Sequence, residues 1–135
     1  MRYIVDTGVL VAYLNRRDNL HEWACRELDR VSPPLLTCEA VVAESCYLLQ
    51  GSGGDEAILK MIEDGYLEIP FRLSEHAKEV GQTLSKYKKN KVSFADASLV
   101  RMLELIKGGI ILTTDSDFEV YRIHRNRRIS VIHPN

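Results

Sequence analysis

Helical and extended segments alternate along this sequence, which predicts an α/β fold: a parallel sheet of four to five strands flanked by helices on both faces. Two observations anchor that prediction. Tyr3-Ile4-Val5 is a short apolar run that reads as a strand buried on both faces, and it stops abruptly at Asp6-Thr7-Gly8, which are turn and helix-cap residues. Late in the chain Ile110-Ile111-Leu112 repeats the pattern and runs into Thr113-Thr114-Asp115-Ser116-Asp117-Phe118, a loop entering a short helix.

The remaining elements follow in order. Val9 to Leu14 reads as the first helix, and Asn15 to Asp18 as a polar break. Leu20, Trp23, Ala24, Leu28 and Val31 recur at helical spacing, so a second helix runs to about Arg30, where Ser32-Pro33-Pro34 stops it. Leu35 to Cys38 is the second strand, and a helix from Glu39 to Gln50 ends at Gly51-Ser52-Gly53-Gly54. Asp55 is the expected cap of the next helix, which buries Ile58, Leu59, Met61 and Ile62 before Gly65. Tyr66 to Ile69 is the third strand. Ser74 is the expected cap of an amphipathic helix carrying Ala77, Val80, Leu84 and Tyr87. Ser93 to Lys107 is the sixth helix, and Ile129 to Ile132 the last strand. No repeat or linker interrupts the chain, so residues 1–135 are expected to form one domain.

Composition bounds the function. Apolar residues make up 45% and charged residues 27% of the chain, ordinary values for a globular domain rather than a disordered one. No apolar run is long enough to span a bilayer and no signal-peptide pattern opens the chain, so the expected location is cytoplasmic. Cys25, Cys38 and Cys46 are odd in number and fit no zinc spacing; buried free thiols in a reducing compartment are expected. A net charge of −1 argues against a protein that coats nucleic acid, but not against a nuclease whose acidic pocket offsets basic residues elsewhere. Those basic residues are grouped, as Lys86, Lys88, Lys89 and Lys91 and as Arg122, Arg125, Arg127 and Arg128. They are suited to phosphate contacts, with a solvated face as the alternative. Tyr87, Phe94 and Tyr121 are candidates for stacking on bases, with core packing the leading alternative for Phe94.

Four acidic residues belong at one edge of such a sheet, because helix N-termini lie where parallel strands end. Asp6 ends the first strand. Glu44 lies in the second turn of the helix after the second strand, Asp96 in the first turn of the helix before the fourth, and Asp115 just after the fourth. Val41 and Leu48 flank Glu44 at helical spacing, which puts its carboxylate on or beside an apolar stripe. Each acid has a simpler alternative: a salt bridge for Glu44, a capping box with Ser93 for Asp96, and turn or cap roles for Asp6, Asp115 and Asp117. Crowded carboxylates repel unless a hard oxygen-seeking cation such as Mg²⁺ or Mn²⁺ joins them. Carboxylates bridged in that way suit phosphodiester hydrolysis, because a bound cation acidifies water and steadies charge on phosphoryl oxygens. His21, His76, His124 and His133 fall in no ligand spacing and read mostly as surface residues.

Taken together, Ile4-Val5-Asp6-Thr7, Val41-Val42-Ala43-Glu44, Phe94-Ala95-Asp96-Ala97 and Thr113-Thr114-Asp115-Ser116-Asp117-Phe118 resemble the PIN-domain ribonucleases over essentially the whole chain. The resemblance implies a three-layer sandwich and a divalent-metal-dependent endoribonuclease, with Asp6, Glu44, Asp96 and Asp115 as the catalytic, metal-holding quartet. It gives supporting positions to Thr7, Thr114 and Asp117, with Gly8 a departure where many members carry a second small hydroxyl residue. Members of this length are often VapC-like toxins that act on RNA, dimerise and are restrained by a small antitoxin. A homodimer is also suggested by the apolar residues of the early helices, Val9, Leu10, Tyr13, Trp23, Val41 and Tyr47. The competing readings are a stand-alone RNA-processing nuclease, a catalytically silent PIN-like module and a phosphoacceptor signalling domain. The last lacks its paired early acids and its late lysine, since His133 follows Ile132.

Overall fold

The computed structural model describes residues 2–134. Five parallel strands form the sheet, β1 (Arg2–Val5), β2 (Leu35–Leu36), β3 (Leu67–Glu68), β4 (Gly109–Leu112) and β7 (Ser130–Ile132), in the order β3-β2-β1-β4-β7. Among the described residues six α-helices flank them: α1 (Thr7–Leu14), α2 (His21–Arg30), α3 (Glu39–Leu48), α4 (Gly54–Glu63), α5 (Ala77–Lys86) and α6 (Phe94–Leu105). The predicted fold class therefore holds. The sequence did not suggest the short antiparallel hairpin of β5 (Arg122–Ile123) and β6 (Arg127–Arg128), which lies inside the second basic group.

The two central strands are apolar on both faces because helices cover both. Ile4, Val5, Ile111 and Leu112 are fully buried, and the register pairs Val5 with Leu112. That register sets the site, since the next residues, Asp6 and Thr113, leave the sheet side by side. Helix α1 is apolar nearly all round, as a helix enclosed by others must be; Val9, Leu10 and Ala12 are buried, and α2 and α3 pack against it. Helix α6 buries Ala95, Ala97, Ser98, Leu99, Val100, Met102 and Leu103, with α5 alongside.

Several local expectations need correction. Helix α4 begins at Gly54 after a left-handed Gly53, which puts Asp55 inside its first turn rather than at the cap, and a Cβ at position 54 would run into Leu49. Residues Leu73–Glu75 form a separate 3₁₀ turn, so Ser74 does not cap α5, which starts at Ala77. Tyr87 follows the end of α5 and is buried against Tyr121, edge to face. Cys38 is buried, but Cys25 and Cys46 are only half-buried. His21 is half-buried, with Nδ1 2.7 Å from the Ala12 carbonyl oxygen. His76 stacks on Phe71. The apolar surplus inferred on the early helices is smaller than expected, since Val9, Leu10 and Val41 lie in the core; Tyr47, at 70% exposure, is the one that stands out.

Candidate active site

Asp6 is the fixed point. It follows β1 directly, caps α1, and is 94% removed from solvent at a relative exposure of 6%. Its Oδ1 accepts the Thr7 N–H at 2.7 Å, and its Oδ2 accepts the Thr113 hydroxyl at 2.7 Å. Burial pushes its carboxyl above the ordinary range, the Thr113 and Thr7 bonds pull it back, and the charges of Asp115 and Glu44 push it up again.

The Thr113 hydroxyl does a second job by accepting the Asp115 N–H at 2.9 Å. Asp115 Oδ1 in turn accepts the Asp117 N–H at 2.9 Å and caps the 3₁₀ turn Ser116–Glu119. The cap reading of Asp115 is thus correct as far as it goes, and its second oxygen is not used by that bond. Asp117 is held above the usual carboxylate range by burial and by Asp115 beside it.

Asp96 reaches the same edge from α6. Ser93 is the N-cap, and its Oγ accepts the Asp96 N–H at 3.0 Å. The Asp96 carboxylate accepts the Tyr121 hydroxyl at 3.2 Å. Its carboxyl is pushed up to about 6, first by burial and then by the charges of Asp6 and Asp115, with Tyr121 and Ser93 opposing. Tyr121 is fully buried between Tyr87 and Phe118, and burial together with Asp96 keeps its phenol protonated.

Glu44 differs from the expectation. The buried stripe of α3 is Val41, Ser45 and Leu49, so Glu44 points to solvent, and Leu48 is itself 57% exposed. The i, i+4 rows run through Ser45, one residue further along, which the symmetric spacing of Val41 and Leu48 about Glu44 obscured. Its charge is nevertheless felt at Asp6.

Asp6, Asp96 and Asp115 therefore share one field, with Glu44 coupled through Asp6, and none of the four makes an ion pair among the described residues. The described residues contain no three acidic, histidine or cysteine side chains drawn close enough to form a ready chelate. The donor set is all oxygen and unneutralised, which fits a hard cation bound through one or two carboxylates while retaining its waters. The buried Thr7 Oγ1 beside Asp6 also lacks a partner.

The sequence singled out Thr7 and Thr114 as supporting hydroxyls, and the hydroxyl that bonds Asp6 belongs to Thr113. The register of β1 against β4 was the missing information. Thr114 instead packs its Oγ1 where a side chain at position 8 would project, so Gly8 is required by the neighbouring strand end. Phe94, expected in the core, is 46% exposed at the start of α6.

The two basic groups meet only in part: Lys86 lies beside Arg122 and Arg125, whereas Arg127 and Arg128 face the other edge of the sheet, beside Lys107 and the start of β4. Tyr87 OH accepts the Arg122 N–H at 2.9 Å, and Lys86 Nζ donates to the Arg125 carbonyl at 3.5 Å, which ties the lysine segment to the arginine hairpin. Through Tyr87 and Tyr121 this surface adjoins Asp96.

A family model described as the PIN domain matches residues 3–123. The chain belongs to the PIN-domain family. Among curated relatives, Ribonuclease VapC26 of Mycobacterium tuberculosis is 26% identical over 115 residues, covering 83% of this chain and 85% of the relative. Among solved structures, the Sarcin-Ricin loop cleaving toxin VapC20 of M. tuberculosis superposes with a TM-score of 0.79 at 21% identity, covering 87% of this chain and 93% of that one. VapBC2 from Rickettsia felis, solved bound to a DNA fragment from its promoter, gives 0.64 at 13% identity over the full length of both chains. FitAcB from Neisseria gonorrhoeae gives 0.57 at 18% identity, covering 84% and 88%. At these identities the structural likenesses establish that this PIN domain shares their fold. No helix among the described residues is long and apolar enough to cross a membrane.

Proposed function

We propose that this PIN domain is a divalent-metal-dependent endoribonuclease that hydrolyses RNA phosphodiester bonds, and that it is the toxin of a toxin–antitoxin pair acting in the cytoplasm. The observation that carries this reading is the convergence of Asp6, Asp96 and Asp115 at one edge of the sheet: buried or half-buried carboxylates with no cationic partner among the described residues, two of which, Asp6 and Asp96, are pushed above the ordinary range by burial and by their acidic neighbours. The VapC names of the curated relative and of a structural neighbour support the choice of RNA and the toxin role. The VapBC2 assembly supports a small antitoxin partner.

In this reading Asp6, Glu44, Asp96 and Asp115 would hold Mg²⁺ or Mn²⁺, one or two of them directly and the others through its waters, and the ion when bound would supply acidified water and charge for the phosphoryl oxygens. Thr113 and Thr7 lock the Asp6 carboxylate in one orientation. Tyr121 fixes Asp96, and the Asp115–Asp117 turn fixes Asp115. Thr7, Thr114 and Asp117 are supporting residues. The lysine segment and the end of the hairpin carrying Arg122 and Arg125 receive the RNA backbone, which positions the strand without reading sequence. The exposed Tyr47 and Leu48 on α3 supply part of a homodimer contact.

The test is cleavage of RNA with Mg²⁺ or Mn²⁺ against the same reaction in EDTA. Metal-dependent products with 5′-phosphate and 3′-hydroxyl ends are expected. Activity that survives chelation and leaves cyclic phosphates would overturn the reading.

A further inference from the structure

At the strand ends on the β2–β3 side of the acids lies a cavity of about 250 Å³. Cys38 and Glu39 wall it from the start of α3, Phe71 and Leu73 from the segment after β3, and Phe94 and Ser98 from α6. It adjoins the acidic centre: Cys38, on its wall, feels the charge of Asp6, and Phe94 shares the first turn of α6 with Asp96.

Three features of the cavity are at odds with simple core packing. Phe94 and Leu73 stand at its rim 46% and 41% exposed, although a large apolar side chain gains by burial. Ser98 is 1% exposed, and its Oγ has no hydrogen-bond partner, a cost that a structural position avoids. Glu39 brings an exposed carboxylate to the same rim. An exposed aromatic ring, an acceptor-only carboxylate and an unpartnered hydroxyl are what recognition of an unpaired base requires, because every base offers a flat face and a polar edge.

We propose that this cavity is a nucleobase subsite, in which an unpaired base next to the scissile phosphate stacks on Phe94 and turns its polar edge towards Glu39 and Ser98. The inference rests on the ribonuclease reading above and adds sequence preference to it. The carboxylate of Glu39 accepts but does not donate, so it favours a base with an exocyclic amine over uracil, whose one edge donor, N3–H, lies between two carbonyl oxygens that a carboxylate repels. The basic surface on the Tyr121 side holds phosphates, the acids hold the reacting group, and the cavity reads the neighbouring base.

The experiment digests a pool of randomised single-stranded RNA with wild type, Phe94→Ala, Phe94→Trp and Glu39→Gln in Mn²⁺, and maps the cut sites. Wild type is expected to prefer an amine-bearing base at one position beside the cut. Phe94→Ala should lose about tenfold in kcat/KM, carried by KM, and flatten that preference, whereas Phe94→Trp keeps it. Glu39→Gln should admit uracil at that position. Phe94 is exposed, so the alanine variant is expected to melt like wild type; Phe94→Leu, which keeps apolar bulk without the ring, replaces it if it does not. Wild-type cleavage with an unchanged KM and unchanged cut sites in the Phe94 variants would overturn the subsite and leave the nuclease reading standing. No cleavage of any RNA by wild type would remove both.

Discussion

The Thr113 hydroxyl donates to Asp6 Oδ2 across 2.7 Å, joining the ends of the two central strands at the bottom of the acidic site. The bond is long-range in sequence and buried, and Thr113 Oγ1 also accepts the Asp115 N–H at 2.9 Å. One side chain thus orients two of the four acids. Thr113→Val keeps the shape but leaves both groups short of a partner, and should destabilise the protein by about 1–3 kcal/mol. Thr113→Ser should recover most of that loss. Urea melts of the pair in EDTA, with RNA cleavage measured alongside, check both the stability and the accompanying fall in activity; equal stability of the valine and serine variants would refute the role.

The raised carboxyls fix the sign of a pH effect. Asp96 titrates at about 6 in the folded protein against an ordinary 3.8, so between those values the folded state binds more protons than the unfolded one. Stability contributed by the protonated form is therefore present at low pH and lost as pH rises through about 6, and the shift of Asp6 adds in the same direction. In chelator, the melting temperature should fall by a few degrees between about pH 5 and about pH 7.5. Asp96→Asn should flatten that slope. A wild-type protein that instead gains stability over the same interval would contradict the crowded-acid description.

How far the site was legible in the sequence depended on range. The strands at Tyr3–Val5 and Ile110–Leu112 announce themselves by apolar runs, and their abrupt polar ends mark Asp6 and Asp115 without further help. Ser93 capping Asp96 is equally local. What stayed hidden depends on contacts between distant segments. Thr113 rather than Thr114 faces Asp6 because Val5 pairs with Leu112, a register no local pattern encodes. Tyr121 and Tyr87 read as candidates for stacking on bases, but both are buried, and the fold sets the Tyr121 hydroxyl on the Asp96 carboxylate instead. Glu44 was misplaced for a different reason: apolar neighbours at both helical spacings straddle the true buried row through Ser45, and Leu48 is exposed.

Asp115 and Asp6 respond differently to neutralisation, and the difference follows from their bonds. Asp115 accepts one N–H, from Asp117, and the amide oxygen of Asp115→Asn can still do so. Asp6 accepts through both oxygens, so in Asp6→Asn the amide oxygen can keep the Thr7 N–H only if the N–H₂ donates to Thr113 Oγ1, which turns the buried Thr113 hydroxyl hydrogen away and leaves it without its acceptor. In EDTA, Asp115→Asn should therefore melt at or above the wild-type temperature, since repulsion is relieved at no cost in hydrogen bonds. Asp6→Asn should sit about 1 kcal/mol or more below Asp115→Asn. Both should lose more activity than the roughly 10–100-fold cost of removing an outer-shell partner, and in both the stabilisation by added Mn²⁺ should shrink, because a ligand of the folded state stabilises according to its occupancy. Thermal melts with and without Mn²⁺ test this, and an Asp115→Asn protein that is destabilised yet still cleaves RNA would remove Asp115 from the site.

Gly8 lies in the first turn of α1 with an ordinary negative φ, so its backbone alone would accept alanine, and alanine is the better helix former by about 0.5–1 kcal/mol. What forbids it is Thr114, whose Oγ1 occupies the space a Cβ would need, with Thr114 Cβ at 3.3 Å and Cγ2 at 3.4 Å from the same point. Gly8→Ala must therefore rotate or displace Thr114 at the edge of the acidic site, and overpacking of this kind costs about 1–3 kcal/mol. Removing the hydroxyl first should reverse the balance. In a Thr114→Ala background, Gly8→Ala should be neutral or stabilising, because the helix preference is kept and the main collision is gone. A double-mutant cycle by denaturant melts measures the coupling, which should be about 1 kcal/mol or more in favour of the double variant. If the two substitutions simply add, steric competition with Thr114 is not what holds glycine at position 8.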